Sequence, residues 1–537
     1  MQTAAGLVGE PTRWQGLGLA LARGLPRAGR WAALGGALFA FPFLAGAVLA
    51  LGAAQLDLLM FGTVCGLAFL FVPTSAVLGL LVLLTFVVVG LASYFLSFDK
   101  GFWLPYMICM LLFLKLPIEA LQHVRGIVRP AVAPPLLVYA LLPFLAVFAL
   151  SAAINGTPVM ALLVGAKNFV FVWSVLLLLA LARMDEGVLA RIWSSVPWIA
   201  ALQLPFAIYQ HFFVAARNFN DVRGGISWDA VVGTFGGKID GGGASGTLAL
   251  FEVIAILITL LLLEARVFSR RTALLVVAAS FLSIALAEVK VVFILLPIMV
   301  VGLLRGRLVR NPLFSLGALV ATLVILGGLF FAYQQMYWGK TDRSTSYAGG
   351  ALEYVFRADT NDHLVNYRTG EVSRLAAPLI WWRETSARGA DLLLFGYGPS
   401  ASRISETIGY GVAAKRYSFR LDTSTLTVVL WDLGLAGLLS FVAILMAGIA
   451  ASLRLMRHAD IPPLHRAVMR AVPTALAIVL VTLPYNRDAV DNSSLQLLIC
   501  LLLGHAAYWH RRLGTRALSA RASAGARIAP GRRGAAC

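Results

Sequence analysis

Charged residues are scarce in this sequence, and their scarcity excludes most soluble proteins. Asp, Glu, Lys and Arg make up 13% of the 537 residues, against about 25% in soluble domains. Apolar residues make up 60%, and the mean hydropathy is +0.84. The apolar residues recur in blocks of about 17–25, the length needed to cross the hydrocarbon core of a bilayer. We therefore predict an all-α polytopic membrane protein and exclude a soluble enzyme.

Cysteine is also rare, and the familiar motifs of metal and nucleotide chemistry are missing. Three of the four cysteines lie inside apolar blocks and the fourth is the last residue, so the spacing offers neither a disulfide framework nor a metal site. The sequence has no P-loop, no Gly-x-Ser-x-Gly elbow and no Asp-x-Asp pair for a metal–nucleotide sugar. We expect no metal and no cofactor. A membrane enzyme that acts at the outer face without nucleotide or metal motifs needs an already activated donor, such as a lipid-linked diphosphate sugar.

The net charge of +19 is placed as in a membrane protein, not as on a nucleic-acid-binding surface. The Lys and Arg residues lie mainly in short segments between apolar blocks and in the tail, as expected of cytoplasmic loops. The bilayer is thus the expected partner, and nucleic acid is not. Alternation of basic and cation-poor connections predicts fourteen spans with both ends inside, at about 32–53, 56–72, 75–97, 102–119, 132–153, 159–182, 192–214, 245–264, 272–287, 291–304, 313–333, 424–449, 470–484 and 493–509.

This topology divides the chain into membrane and loop regions. It predicts a cytoplasmic segment at 1–31, spans 1–11 within 32–333 with a Gly-rich outer loop at 216–243, a large outer cap at 334–422, spans 12–14 within 423–510, and a basic cytoplasmic tail at 511–537. The cap has helix-like apolar spacing and is too rich in aromatic and aliphatic residues for a disordered linker. We expect the tail after Leu513 to be a disordered arm on anionic lipid.

The Gly-rich outer loop is the first candidate site. Its glycines, Gly233 among them, allow backbone amides to turn toward a ligand, and the following span presents a helix N-terminus. With Arg223 and Lys238 nearby, a phosphate ligand is one interpretation. The alternative is a connecting loop whose glycines only avoid steric conflict.

The cap holds the second candidate, an arginine without a local acid. Arg374 and Arg388 have Glu371 and Glu384 at helical ion-pair spacing. Arg383 has no acid at the corresponding positions of its own helix. We therefore prefer Arg383 as an anion ligand, because a planar guanidinium fits phosphate oxygens.

Residues that could act as a base or contact substrate are few. Asp422, just before a span, is the preferred base, and its alternative is a helix N-cap. His363 is the only histidine of the cap, and a lone histidine is more often structural. Three further groups lie at predicted outer turns, where the alternatives are a structural turn or satisfied ion pairs: Gly396, Tyr397 and Gly398; Lys290 with Glu288; and Arg487 with Asp488 and Asp491.

The order of these segments resembles that of the O-antigen ligase and polymerase superfamily. The resemblance covers about residues 226–504. It rests on Gly233-Thr-Phe-Gly-Gly237, Glu288-x-Lys290, Arg374, Trp382-Arg383, Phe395-Gly-Tyr-Gly398, Asp422-x-Ser424-x-Leu426 and Leu433-Gly-Leu-Ala-Gly-Leu-Leu439. It implies a bacterial inner-membrane glycosyltransferase of the lipid-donor, GT-C type, whose active site faces the periplasm. Such an enzyme joins undecaprenyl-diphosphate-linked glycans by inverting displacement, without a metal.

The resemblance also implies roles for individual residues and leaves rival functions open. Arginines hold the diphosphate, here Arg223 and either Arg374 or Arg383 by position. The ligase branch has a His-Asn pair where this chain has Asp422-Thr423 or Thr423-Ser424. That departure favours a polysaccharide polymerase, with a chain-length regulator or an export complex as a further candidate partner. A ligase that transfers glycan to lipid A core or protein is the first alternative.

A lipid-linked glycan flippase or another transporter is the alternative from a different class. It would need a central polar cavity with charged residues inside the spans. We count only Lys115 and Lys167 there, and we see no paired broken helices.

Overall fold

The computed structural model describes a bundle of helices. It covers residues 72–124, 135–182, 184–215, 230–237, 243–308, 310–317, 376–405, 408–417 and 419–528, with a few isolated positions between and outside these ranges. The span predicted at 32–53, nearly all of that at 56–72 and most of that at 313–333 lie outside these residues. The helices below belong to the unit Pro73–Cys537.

Long apolar runs form most of the helices numbered below, because a backbone in hydrocarbon must satisfy its own hydrogen bonds. They are α1 (Thr74–Leu96, with a π-helical turn at Leu84–Val88), α2 (Trp103–Val124), α3 (Leu136–Ile154), α4 (Val159–Phe169), α5 (Trp173–Leu181), α6 (Glu186–Tyr209), α7 (Ser245–Glu264), α8 (Arg270–Ala287), α9 (Val292–Leu308), α10 (Ala376–Ser386), α11 (Ala390–Phe395), α12 (Thr425–Leu455), α13 (Pro463–Thr482), α14 (Asp488–Asp491) and α15 (Ser493–Ile528). The described residues also form 3-10 helices at Asp99–Phe102 and Ala414–Arg416, a π-helical segment at Gln210–Ala215, and two antiparallel hairpins of two-residue strands, Val365–Asn366 with Glu371–Val372 and Ile404–Ser405 with Gly409–Tyr410.

Eight of the described helices are long and apolar enough to cross a membrane, or nine if α4 and α5 form one bent span. The prediction of an all-α polytopic membrane protein is confirmed at this level. The total of fourteen spans stays a prediction. The span predicted at 291–304 corresponds to α9, whose apolar part is shorter than the eight.

Helix α7 lies at the centre of the bundle. In its apolar window 83% of the residues are buried, and it contacts α6, α8, α9, α13 and α15. Its sequence is accordingly apolar on all sides apart from buried Glu252 and a few Ser and Thr residues, as expected of a helix with little lipid-facing or solvent-facing surface.

Two helices are interrupted, and both interruptions border the candidate site. Helices α4 and α5 meet at a bend of 54°. Within α12, Gly434 has φ 68° and ψ −166°, outside the helical region. A Cβ at Gly434 would lie 2.4 Å from the carbonyl carbon of Leu394, so this backbone approach requires glycine. Neither break is predicted from the sequence.

The described part of the cap packs onto the start of α12. Helix α10 lies where the apolar spacing predicts a helix, and α11 contacts α12 directly. Trp381, Tyr397 and Trp431 form the centre of their common core. The side of the membrane on which this region lies stays a prediction.

The prediction of a disordered tail after Leu513 is wrong over most of its length. Helix α15 continues to Ile528. Ala and Arg, which are frequent in this segment, have high helix propensity, and the preceding turns of α15 supply the nucleus.

Candidate functional site

The break in α12 creates a docking point for the segment that follows α11. Because the chain leaves the helix at Gly434, carbonyl groups just before the break become available. The Trp431 and Asp432 carbonyls accept hydrogen bonds from the N–H groups of Tyr397 (2.8 Å) and Gly398 (3.0 Å). The turn predicted at Gly396, Tyr397 and Gly398 is thus fixed to a membrane helix, in agreement with its structural interpretation.

Asp432 holds the next part of the same segment through its side chain. The carboxylate is completely buried and accepts hydrogen bonds from the N–H groups of Ser400 (3.0 Å) and Ser402 (2.8 Å). Ser151 on α3 donates to the Asp432 carbonyl at 3.0 Å. These contacts determine where the next residue, Arg403, enters the bundle.

Arg403 is a buried cation with unused donors. Its Nη1 pairs with Asp491 Oδ1, and its Nε lies 4.0 Å from Asp432 Oδ2. Nε and Nη2 make no hydrogen bond to any described residue, and the guanidinium lies 5.9 Å from the Phe169 ring centroid. Burial lowers the pKa of Arg403, and the nearby Asp432 carboxylate acts in the opposite direction. An arginine remains charged under such conditions, so the unused N–H groups favour an anionic ligand.

Asp422 and Arg487, predicted separately from the sequence, are in direct contact. Arg487 Nη1 lies 2.5 Å from Asp422 Oδ2, and its Nε lies 3.2 Å from Asp491 Oδ2. Asp491 therefore bridges Arg403 and Arg487. The second oxygen of Asp422 is buried, lies 3.5 Å from Arg420 Nε, and accepts no hydrogen bond from the described residues.

The capping alternative for Asp422 does not hold in this structure. The N-cap of α12 is Ser424, whose Oγ accepts a hydrogen bond from the N–H of Thr427. The Thr427 hydroxyl in turn accepts from the Ser424 N–H, which completes a capping box. Asp422 therefore does not cap α12 and forms ion pairs with Arg420 and Arg487.

Lys167 brings a further cation to the same region. Its Nζ lies over the rings of Trp103 (4.9 Å) and Tyr106 (5.1 Å), in electrostatic range of Arg403. No described carboxylate lies within 4.0 Å of this amine. We call the assembled group the charged cluster: Lys167, Arg403, Arg420, Asp422, Asp432, Arg487 and Asp491. Its cations outnumber its carboxylates by four to three.

In the described part of the Gly-rich loop, backbone amides bond to side chains of the bundle. Gly233 has φ +59°, and its N–H and carbonyl are both bonded to the Gln210 side chain, at 2.7 and 2.8 Å. The N–H of Thr234 donates to Gln203 Oε1 at 2.7 Å. These amides are occupied inside the bundle, which favours the connecting-loop interpretation for this stretch. Arg223 and Lys238 lie outside the described residues.

The other predicted ligands are distributed around the cap and turns. Arg374 is exposed, and its guanidinium carbon lies 4.2 Å from the ring centroid of Tyr485. Tyr485 precedes Arg487 by two residues in the chain. Arg383 is exposed and forms no ion pair with a described residue. Lys290 is exposed in the turn between α8 and α9. His363 lies outside the described residues.

Arg388 forms the ion pair predicted from its spacing. Arg388 Nη2 lies 3.1 Å from Glu384 Oε2. Tyr417 donates a hydrogen bond to the same oxygen at 3.0 Å, and burial raises the pKa of Tyr417, which keeps it a donor. The Glu384 carboxylate is therefore compensated by Arg388 and hydrogen-bonded by Tyr417.

The prediction that only Lys115 and Lys167 carry charge inside the spans is wrong. Glu252 and Asp432 also lie within predicted spans, and both are completely buried. An acid in an apolar block is a signal that sequence reasoning could have used. Arg403 carries no such signal, because its segment has no periodic pattern and its burial arises from docking onto the broken helix.

The chemistry of the charged cluster is that of an anion site beside a carboxylate. The N–H donors of Lys167 on α4 and of Arg403, Arg420 and Arg487 in connecting segments belong to this cluster, and one oxygen of Asp422 is not hydrogen-bonded by any described group. Such an arrangement can bind a phosphate group and accept a proton beside it. No protein-family model matches the chain, and no curated protein is significantly similar to it.

Proposed function

We propose that the protein is a bacterial inner-membrane polysaccharide polymerase with its active site facing the periplasm. It would join undecaprenyl-diphosphate-linked oligosaccharide repeats into a surface polysaccharide, such as O-antigen, capsule or exopolysaccharide. The observation that carries the proposal is Arg403, a buried guanidinium with two unused donor atoms, in a cluster that also holds Asp422. The resemblance in motif order supports the same class.

The cations of the charged cluster stabilise the departing diphosphate in this proposal. Arg403 donates from Nε and Nη2, while Arg487 and Lys167 add positive charge. A preorganised donor to a developing anion is typically worth about 3–4 kcal/mol in the transition state. Arg223 and Arg374 or Arg383 remain proposed ligands on the strength of the resemblance alone.

Asp422 acts as the base. A sugar hydroxyl oxygen attacks the anomeric carbon of the donor, the anomeric carbon–phosphate oxygen bond breaks, and the diphosphate leaves with the bonding electrons. The hydroxyl proton moves to Asp422 Oδ1, the oxygen without a hydrogen bond from the described residues. Arg487 holds the other oxygen and thereby orients the carboxylate. Attack from the face opposite the leaving group inverts the anomeric centre, and no metal takes part in this proposal.

Two alternative functions remain. A ligase would use the same donor site but a lipid A core or protein acceptor. A glycan flippase is favoured by a separate observation, the two interrupted helices together with buried Asp432 and Glu252, since discontinuous helices form binding sites in many transporters. The charged cluster would then bind the same diphosphate without catalysing a reaction.

Polymer length in cells tests the proposal. Arg403→Gln and Asp422→Asn, produced at the normal protein level, should abolish long chains. Arg454→Gln, at the opposite end of α12 and exposed, is the matched control and should leave chain length unchanged. Arg383→Ala and Arg223→Ala test the ligands that the resemblance implies. Wild-type chains from both Arg403→Gln and Asp422→Asn would contradict the mechanism.

A further inference from the structure

A second basic site lies at the other end of the bundle from the charged cluster. Arg305 near the end of α9, Arg457 just after α12, and Arg470 in the first half of α13 lie there. Arg305 is in repulsive electrostatic range of both Arg470 and Arg457. We call these three residues the arginine triad.

The triad has little compensating charge among the described residues. Arg470 Nη1 lies 3.1 Å from Glu264 Oε1, and this is the carboxylate paired with the triad. The guanidinium of Arg305 donates to the sulfur of Met456, which is a weak acceptor. Three guanidinium groups against one carboxylate leave an excess of two positive charges.

An incompletely buried face of α13 leads away from the triad, and we call this face with the adjoining parts of α9 and α12 the groove. Helix α13 packs against α9 on one side and α12 on the other, and α9 meets α12 through the contact of Arg305 with Met456. Between Arg470 and Thr482, the residues of α13 that are not buried are Ala477, Leu480 and Val481. At their spacing they share one helix face with Arg470, so this face is the apolar floor of the groove.

The wall formed by α9 is held close to α13. A Cβ at Gly302 would lie 2.1 Å from Thr474 Oγ1, so glycine allows the two helices to touch. The groove is therefore bordered closely by α9, and it has an apolar floor and cations at one end. This matches an amphipathic ligand with an anionic head and hydrocarbon tails.

We infer that this groove binds an anionic phospholipid whose headgroup carries two phosphates, diphosphatidylglycerol. The phosphates contact the arginine triad, and acyl chains lie along α13. Two phosphodiester charges match the two excess positive charges, and guanidinium groups bind phosphate oxygens in a bidentate manner. Basic pockets between membrane helices are typical sites for such lipids. The inference is independent of the proposed polymerase activity.

Binding to purified full-length protein in detergent tests this inference. Native mass spectrometry and thermal unfolding are recorded with added tetraoleoyl diphosphatidylglycerol, dioleoyl phosphatidylcholine or inorganic diphosphate. The variants are Arg305→Gln/Arg470→Gln and Arg457→Gln. Arg457 is exposed, so its change should leave folding intact. Arg310→Gln, an exposed arginine after α9, is the matched control.

We expect the wild type to retain diphosphatidylglycerol and to be stabilised by it. Loss of each arginine should weaken binding by about tenfold, as expected for one charge-assisted contact, and Arg310→Gln should bind as the wild type does. Equal binding by the wild type and Arg457→Gln, or equal retention of phosphatidylcholine, would overturn the inference. Inorganic diphosphate that binds as tightly as the lipid would also overturn it, because the site would then serve a soluble anion.

Discussion

Replacement of Arg403 is the perturbation with the largest expected effect. Its side chain is 8% exposed and lies between Asp432, which is completely buried, and Asp491, which is 20% exposed. Removing one partner of a buried ion pair typically costs about 3–5 kcal/mol. Because Asp491 is partly solvated and also contacts Arg487, we expect Arg403→Gln to lower the free energy of unfolding by about 3 kcal/mol.

The same substitution should abolish catalysis for a separate reason. Loss of one donor to a departing anion typically lowers the rate by about 100- to 1,000-fold. A second substitution, Asp491→Asn, separates the two effects, because it removes the carboxylate that Arg403→Gln leaves unpaired. We expect the double variant to regain about 1 kcal/mol or more of the lost stability, while its chain growth stays at least about 100-fold below that of the wild type.

The assay is a double-mutant cycle on the reconstituted protein. The free energy of unfolding in mixed micelles and the rate of glycan elongation are measured for the wild type, both single variants and the double variant. Elongation at the wild-type rate by the double variant would refute the reasoning, since Arg403 would then have only a structural role. An unchanged free energy of unfolding for Arg403→Gln would refute the buried ion pair itself.

Three further substitutions test the framework, each by the change in the free energy of unfolding. Gly434→Ala should destabilise the protein by about 2 kcal/mol or more, because φ is positive and the added Cβ meets backbone atoms. The control Gly79→Ala, with open space around it, should change stability by no more than about 1 kcal/mol. Similar values for the two variants would contradict the break in α12. Ser424→Ala should cost about 1 kcal/mol through loss of the N-cap, and a neutral effect would contradict the capping box. Trp193→Phe should cost about 1–3 kcal/mol, since it leaves the buried His505 Nδ1 without its 2.9 Å hydrogen bond, and an unchanged stability would contradict that contact.

Local sequence patterns predicted those parts of the fold that depend on local chemistry. Apolar blocks gave most of the described membrane helices, and the spacing in the cap indicated α10. Asp422 and Arg487 were each identified from their position beside a span. Their contact joins residues 65 positions apart, and no periodicity encodes a pairing at that distance.

The centre of the site depends on tertiary structure, which explains why sequence reasoning missed it. In sequence, Arg403 has the features of an ordinary loop residue. In the structure, Asp432 and the break at Gly434 hold its segment inside the bundle. The Leu-Gly-Leu-Ala-Gly run around Gly434 is also compatible with a continuous helix in sequence. Only the close approach of Gly396 shows why the helix is interrupted there.

Reconstitution with a labelled donor tests the central claim most directly. Purified protein in liposomes receives a fluorescent undecaprenyl-diphosphate-linked repeat unit, without nucleotide or added metal. The account predicts longer lipid-linked glycans and one released undecaprenyl diphosphate for each linkage formed. Movement of the labelled donor across the bilayer, with no glycan longer than one repeat and no released diphosphate, would contradict it.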